Sequence, residues 1–276
     1  MPEIAEVETV RNVLKKSVLH KRIIGVDIYY EKMIEQDVNE FKNCLINNEF
    51  VDIKRIGKWL IFELTDHYLL SHLRMEGKYF IKNTKEEKAK HEHVIIHFAD
   101  NTDLRYHDTR KFGRMKIIPK EMLYETEEIK KQGKEPGSKD LTATYLIEKF
   151  KTKKEPIKTA LLDQTIISGL GNIYANEVLF ASNINPKRPA SSITLEEAKK
   201  IVDTSASIIK KAMELGGTTI KSYTSSLGVT GHYQDYLCVH KRENCPCKVC
   251  GEKIICIKVG GRSTYYCPKC QKQLWR

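Results

Sequence analysis

The sequence predicts an α+β fold in four parts: an amphipathic helix, a β-sandwich or barrel, a helical region and a small cysteine-pinned hairpin. Three observations carry this. Apolar residues recur at helical spacing near the N-terminus and again between residues 142 and 216, whereas short β-type runs fill the span from 22 to 118. A charged stretch from 120 to 140, holding Gly133, Pro136 and Gly137, reads as a linker between the two textures. The chain then closes on Cys247-x2-Cys250 and Cys267-x2-Cys270, with sixteen residues between the pairs.

The first helix is predicted over residues 3–19, because Ile4, Val7, Val10, Leu14 and Val18 fall near one face. Pro2 stands where a helix tolerates proline, and Glu3, Glu6 and Glu8 suit the positive end of its dipole. The β-type runs are Ile23–Tyr30, Trp59–Leu64, Tyr68–His72, Tyr79–Ile81, Val94–Phe98 and Arg114–Ile118, separated by turn signals such as Asp66-His67 and Asp100-Asn101. Helices are predicted at Thr142–Phe150, Ile157–Asp163, Asn172–Ala181 and Leu195–Leu215. Thr194 with Glu197 reads as a capping box for the last, and Gly216-Gly217 ends it. The Gly-, Ser- and Thr-rich stretch 217–236 reads as a long loop, and loops of that length are often functional lids.

The cysteine spacing matches a closed zinc site, since each pair can sit on one tight turn and offer two sulfurs to one tetrahedral ion. Two disulfides would use the same four residues. The remaining Cys44, Cys238, Cys245 and Cys256 show no framework, and the acidic start Met1–Glu6 leads no apolar stretch, so it does not read as a signal peptide. Both features favour a reducing cytoplasm, where paired cysteines more often hold metal. Between the pairs, two β-prone runs flank Gly260-Gly261 and read as a hairpin with Arg262 at its turn. Such a hairpin is suited to probe something anionic, although a metal there could also serve stability alone.

Composition narrows the partner. With 41% hydrophobic residues in 276 the chain can build real cores, and no apolar run approaches the ~18 residues of a membrane span. The net charge is +11, and residues 240–276 alone hold nine Lys or Arg against two acids. A local excess in the segment that carries the candidate probe favours nucleic acid over a merely soluble basic surface. Ser168-Gly169-Leu170-Gly171-Asn172 adds two glycines just before a helix. Backbone N–H groups there can bind a phosphate, and a tight helix–helix turn explains the glycines almost as well.

Taken together, these pieces resemble the bacterial formamidopyrimidine-DNA glycosylase family. The marks are Met1-Pro2-Glu3, Gly57-Lys58-Trp59-Leu60, His72-Leu73-Arg74-Met75-Glu76-Gly77, Asp108-Thr109-Arg110-Lys111-Phe112-Gly113, Gly169-Leu170-Gly171-Asn172-Ile173-Tyr174, Gly216-Gly217-Thr218-Thr219 and the four-cysteine hairpin. They keep the family's order from end to end. One position departs: Ala5 stands where the family usually has a second proline, and alanine keeps the helix. The resemblance implies a helix on a β-sandwich (1–119), a linker (120–140), a helix-two-turns-helix domain with a lesion-capping loop (141–236) and a zinc ribbon (237–276).

It also implies roles. Pro2, exposed as the mature N-terminus once Met1 is removed, is the nucleophile at C1′ of the damaged nucleotide. Glu3 is the general acid at the sugar, Glu6 supports it by hydrogen bonding, and Lys58 acts near the lesion. Arg262 is catalytic as well: it grips the phosphates around the nucleotide that Pro2 attacks and takes part in the final elimination. Asn172, Lys158 and His72, with His91 and Lys153, hold phosphates. Met75, Arg110 and Phe112 fill the gap left by the flipped base. Thr218, Tyr223 and Thr224 lie in the lesion-capping loop. Cys247, Cys250, Cys267 and Cys270 bind one structural Zn²⁺. The partner is damaged double-stranded DNA with no membrane, and the enzyme is expected to be monomeric and cytoplasmic.

Two other readings share part of this pattern. An endonuclease VIII-like glycosylase for oxidised pyrimidines would keep Pro2, Glu3, Lys58 and the ribbon. A non-catalytic zinc DNA-binding protein would not need a free N-terminal proline. The Met75, Arg110, Phe112 set and the 217–236 loop favour the purine enzyme. From matched duplexes, 8-oxoguanine should therefore be released faster than thymine glycol, and the reverse order would select the pyrimidine enzyme.

Overall fold

The computed structural model describes residues 1–218 and 231–272. Tyr223 and Thr224 lie outside the described residues. The chain divides into two compact units: Met1–Lys130 with the described part of Gly216–Gly231, and Lys131–Leu215 with His232 onward.

In the first unit, α1 (Ile4–Val18) keeps the predicted stripe, with Ile4, Val7, Val10, Leu14 and Val18 buried. Ala5 is fully buried within it. Two four-stranded antiparallel sheets follow. One has the order β1 (Ile23–Ile28), β6 (Glu92–Phe98), β7 (Thr102–His107), β5 (Lys78–Asn83); the other has β2 (Asp52–Ile56), β3 (Trp59–Glu63), β4 (His67–His72), β8 (Arg114–Pro119). Their inner faces and the α1 stripe share one core, in which Val10, Leu14, Phe50, Phe62, Phe98, Leu104 and Met115 meet. Burying such side chains is the main favourable term, about 1.5–3 kcal/mol each. The second sheet is covered on its other face too. There Trp59, Ile61, Tyr68 and Leu70 pack against Leu123 and Ile129, from a 3₁₀ helix (Lys120–Glu125) and α3 (Glu127–Lys130). That is why β3 reads as an almost unbroken apolar run instead of an alternating one. It also places the first half of the 120–140 stretch, read as a linker, in the packing of this unit.

Besides the elements of the 120–140 stretch, one α-helix and two strands in this unit escape the sequence pattern: α2, β2 and β7. The helix α2 (Val38–Leu45) begins at Asp37, whose carboxylate accepts the Glu40 N–H. Strand β7 turns charged residues inward. Arg105 is 2% exposed, held by the Asp103 and Glu92 carboxylates and by the carbonyls of Asn83, Glu86 and Glu87. A buried charge survives only when its donors are met in this way.

The second unit contains α4 (Ala143–Phe150), α5 (Ile157–Leu162), α6 (Asn172–Ala181) and α7 (Leu195–Glu214). Thr194 and Glu197 form the expected capping box on α7. The predicted hairpin is β9 (Ile255–Val259) and β10 (Arg262–Tyr266), with Arg262 opposite Val259. Gly260 and Gly261 both have positive φ, 54° and 74°, as a two-residue hairpin turn of this hand requires. No helix among the described residues is long and apolar enough to cross a membrane.

His97, on β6, bridges the two neighbouring strands β1 and β7 of the first sheet. Its ring nitrogens lie 2.8 Å from Asp103 and 3.1 Å from Asp27. Burial opposes its charge, but the two carboxylates outweigh burial and lift its pKa above the ordinary value. A raised folded-state pKa stabilises fully below the unfolded value near 6.5, and that stability is lost as pH rises through the folded value. His97→Gln should therefore lower the unfolding free energy at pH 5.5 relative to the parent protein. The gap should be on the order of 1 kcal/mol, the scale of one charge-assisted contact, and should close by pH 8.5. Denaturant melts at the two pH values measure this.

Candidate active site and nucleic-acid interface

In the first unit the reactive candidates gather at the start of α1. Pro2, Glu3 and Glu6 are all buried. The Glu6 carboxylate accepts the Glu3 N–H at 2.9 Å through Oε2. Through Oε1 it accepts the Thr218 N–H at 2.8 Å and the Thr218 hydroxyl at 3.0 Å. Gly217 makes this approach possible: its φ is +76°, and a Cβ there would stand 2.7 Å from Glu6 Oε1. The base of the predicted capping loop is thus hydrogen-bonded to the first turn of the helix.

Lys58 reaches the same neighbourhood through the β2–β3 turn. Arg55 donates to Glu8 of α1 at 2.8 Å and to the Gly57 carbonyl at 2.9 Å, and Gly57 takes a left-handed φ of 57°. Lys58 itself is 5% exposed. The α-amine of Met1 has its pKa lowered. Burial is the largest cause, Glu3, Glu6 and Glu76 work against it, and Lys58 adds to the lowering. An amine here is biased toward its neutral, nucleophilic form. Glu76 is a member of this electrostatic group that the sequence reading did not single out.

The loops that carry Met75, Arg110 and Phe112 leave the ends of β4 and β7. Phe112 is 46% exposed, and the Arg110 guanidinium lies 4.7 Å from its ring centre. Asp108, fully buried, shapes this loop by accepting the N–H groups of Arg110, Phe112 and Gly113 at 2.9–3.0 Å. Met75 is half-buried. The two loops are tied to each other, because the Thr109 hydroxyl donates to Glu76. His72 stacks edge-on against Trp59, and its Nδ1 accepts the Arg74 N–H. Burial, with Arg74 and Lys58 adding, pushes its pKa down to about 3, so the ring is neutral and its Nε2–H is the donor. His91 packs its ring against His93 and His107.

The second unit presents a different group. Asn172 opens α6, and its amide donates to the Ser263 carbonyl at 3.0 Å. Lys158 is fully buried, and its ammonium donates to the same carbonyl at 3.1 Å and to the Thr264 hydroxyl at 2.7 Å. Both candidates thus fasten the residue next to Arg262, which itself is exposed. Gln164 builds the turn before α6: its amide donates to the carbonyls of Leu162 and Leu170 and accepts the Gly169 N–H. Glu177, buried on α6, accepts the N–H groups of Cys238, Val239 and His240 at 2.7–3.0 Å. Neither signalled itself in the sequence, because their partners are backbone atoms that only the fold supplies. Lys153 lies 3.4 Å from both Glu155 and Asp163. Burial opposes its charge, but the two carboxylates raise its pKa overall.

The four cysteine sulfurs of Cys247, Cys250, Cys267 and Cys270 lie within 4.8 Å of one another. The Cys247–Cys270 and Cys250–Cys267 pairs are 3.9 and 3.4 Å apart. Tetrahedral zinc with Zn–S near ~2.3 Å needs sulfurs about 3.8 Å apart, so the set fits one ion. The N–H groups of Val249 and Cys270 point at Cys247 and Cys267 sulfurs at 3.4 Å, as expected around thiolates. All eight cysteines are free, so no disulfide competes. Four thiolates leave no position for a reactive water, which makes the zinc structural.

Comparison with known proteins agrees along the whole chain. Residues 1–115 match the formamidopyrimidine-DNA glycosylase N-terminal domain, 132–224 its H2TH domain, and 246–273 the zinc finger found in FPG and IleRS. The formamidopyrimidine-DNA glycosylase of Listeria monocytogenes serotype 4b is 45% identical over 99% of this chain and 100% of its own. That of Ligilactobacillus salivarius is 46% identical over 98% and 99%. The structure superposes on the Lactococcus lactis protein bound to DNA containing an abasic site with a TM-score of 0.93 at 38% identity, covering 98% of this chain and 100% of that one. A complex of the same protein with DNA carrying N7-benzyl-Fapy-dG gives 0.93 at 37% identity over 99% and 100%.

Chelation should release one zinc per chain. Structural zinc contributes about 10–16 kcal/mol to small domains, so the amides of Ile255–Val259 and Arg262–Tyr266 should lose hydrogen-exchange protection while those of β3 and β4 keep it. Binding to duplex DNA should be lost in the same titration. An apo-protein that binds DNA unchanged would show the ribbon to be dispensable.

Proposed function

The chain belongs to the formamidopyrimidine-DNA glycosylase family, and from that premise we propose that it excises oxidised purines, 8-oxoguanine and formamidopyrimidines, from duplex DNA and then cuts the strand. The observation that carries this is the group around the first turn of α1: the half-buried α-amine of Met1, its pKa lowered, with Glu3, Glu6, Lys58 and Glu76 as its electrostatic neighbours.

With Met1 removed, Pro2 carries the amine. Its lone pair attacks C1′ as the N-glycosidic bond breaks and the base departs. Glu3, in the dry environment that favours a protonated carboxyl, delivers a proton to the sugar ring oxygen, and the ring opens to an iminium. A secondary amine makes that iminium permanently charged, which acidifies the C2′ proton. Loss of that proton expels the 3′ phosphate, and a second elimination expels the 5′ phosphate, leaving a one-nucleotide gap. The activity is thus both an N-glycosyl hydrolase and a lyase. Lys58 serves at the lesion, and Glu6 positions Glu3.

Flipping a base out costs a few kcal/mol of stacking and pairing. Phe112 and Met75 are assigned to fill the stack, as apolar side chains do in kinked duplexes, and Arg110 to hydrogen-bond the orphaned cytosine. Phosphates are assigned to Arg262, whose guanidinium suits bidentate contact, to Asn172, and to His72, His91 and Lys153. Lys158 supports them by holding the hairpin. Thr218 ties down the base of the capping loop. The enzyme is assigned to the cytoplasm, where bacterial DNA lies.

Borohydride should trap a covalent adduct between the mature protein and abasic DNA. Pro2→Gly should lose most strand cleavage, by about a hundredfold or more if a nucleophile is removed. Normal cleavage by Pro2→Gly would assign the chemistry to another amine, and no adduct with the parent protein would leave only a DNA-binding protein.

A further inference from the structure

Gly77 and Gly113 close the two loops that carry Met75 and Phe112. Neither has the left-handed backbone that reserves a position for glycine. What forbids a side chain there is space, and one residue takes that space at both. A Cβ on Gly113 would stand 1.9 Å from the Tyr106 hydroxyl oxygen, 2.7 Å from Tyr106 Cζ and 3.0 Å from Cε1. A Cβ on Gly77 would stand 2.1 Å from the same oxygen and 2.8 Å from Cζ, with the Leu73 carbonyl at 2.6 Å. The end of one phenol is therefore packed against both loop termini.

That phenol has little freedom. Tyr106 is fully buried near the end of β7, paired with Tyr79 on one side and Val94 on the other. Its ring meets Tyr79 edge-on at 5.1 Å, Tyr79 meets Phe62 at 5.6 Å, and the Tyr79 hydroxyl is 2.7 Å from Ser71 on β4. The ladder thus runs from the inner face of the second sheet to the loop ends. Outside it, Thr109 bonds Glu76 and Asp108 fixes the amides of Arg110, Phe112 and Gly113. Each loop is shaped locally, but the gap between Gly77 and Gly113 is set by the thickness of one tyrosine.

We propose that Tyr106 is a positioning residue for base eversion: by seating its hydroxyl between Gly77 and Gly113 it fixes the separation of Met75 from Arg110 and Phe112, and so the register in which they enter the stack. This rests on the assignment of those three side chains to the vacated position. Tyr106 touches no DNA in this account. A wedge of two loops works only if both tips meet one base-pair step, and a ~1 Å misplacement can cost about a hundredfold.

The test uses the full zinc-loaded protein and three readouts: excision of 8-oxoguanine opposite cytosine, cleavage at a preformed abasic site in the same duplex, and preference for cytosine over adenine opposite the lesion. Gly113→Ala should reduce excision about a hundredfold, reduce abasic-site cleavage much less, and erase the opposite-base preference. The three nearest atoms facing that Cβ all belong to Tyr106, so adding Tyr106→Leu should restore the preference and part of the excision, although Tyr106→Leu alone lowers both. If Gly113→Ala does not fold, the double variant should regain the fold and the preference together. The inference is overturned if Gly113→Ala keeps rate and preference, or if the double variant is no better than the product of the single effects. Met75→Ala and Phe112→Ala separate the two levels. If both leave excision and preference intact, the wedge assignment falls and takes this inference with it. If they impair excision while Gly113→Ala does not, only the role of Tyr106 falls.

Discussion

The Glu6 carboxylate is the constraint around which the first unit's chemistry is arranged. A carboxyl group at 3% exposure is costly unless its oxygens are satisfied, and here the Glu3 N–H and both donors of Thr218 bond to them. The same bonds fix two things that the sequence keeps 212 residues apart: the turn carrying Pro2 and Glu3, and the root of the loop after α7. A turn at a chain end would ordinarily fray, since the first residues of a domain are the least ordered. Burying the first turn and bonding it from two sides removes that freedom. The burial that holds the amine still also favours its neutral form, so immobility and nucleophilicity have one cause.

The sequence showed the elements whose physics is local. The stripe of α1, the cap of α7 and the two-glycine hairpin each follow from a spacing of a few residues, and all stand where the spacing places them. It concealed β7, because that strand buries Asp103 and Arg105 where a pattern search expects apolar side chains. It concealed the packing of Leu123 and Ile129 under the second sheet, because a charged surface and a linker look alike before tertiary contacts exist. The site divided the same way. Residues with a distinctive chemistry, such as the cysteine pairs and the N-terminal proline, are visible as motifs. Asp108, Gln164 and Glu177 are not, since each acts on backbone amides and carbonyls whose positions are products of folding.

These hidden residues share a device. Asp108 and Glu177 each gather three N–H groups from one irregular segment onto one carboxylate, and Glu6 joins the Thr218 N–H to that of Glu3. Loops that lack a ladder must place their amides somewhere, and a carboxylate is acceptor-only, with two oxygens and a charge that strengthens each bond. An asparagine at the same place would bring a donor that the cluster of amides cannot accept. The segments held in this way carry Phe112 and Arg110, the start of the ribbon, and the capping-loop root, where an adaptable loop would blur the geometry.

The location of these acids also bears on DNA binding. A protein with net charge +11 that must approach phosphates gains from each exposed cation and loses from each exposed anion near the path. Its loop-shaping carboxylates are almost wholly removed from the surface: Asp108 is fully buried, and Glu6 and Glu177 are each 3% exposed. Their oxygens face amides at contact distance, while Arg110 and Arg262 remain exposed. Rigid loops and a positive face are competing demands if acids shape the loops from outside. Placing the acids inside meets both, provided every oxygen finds its donors. Sequence composition alone hides this arrangement, because it counts the buried acids against the basic ones.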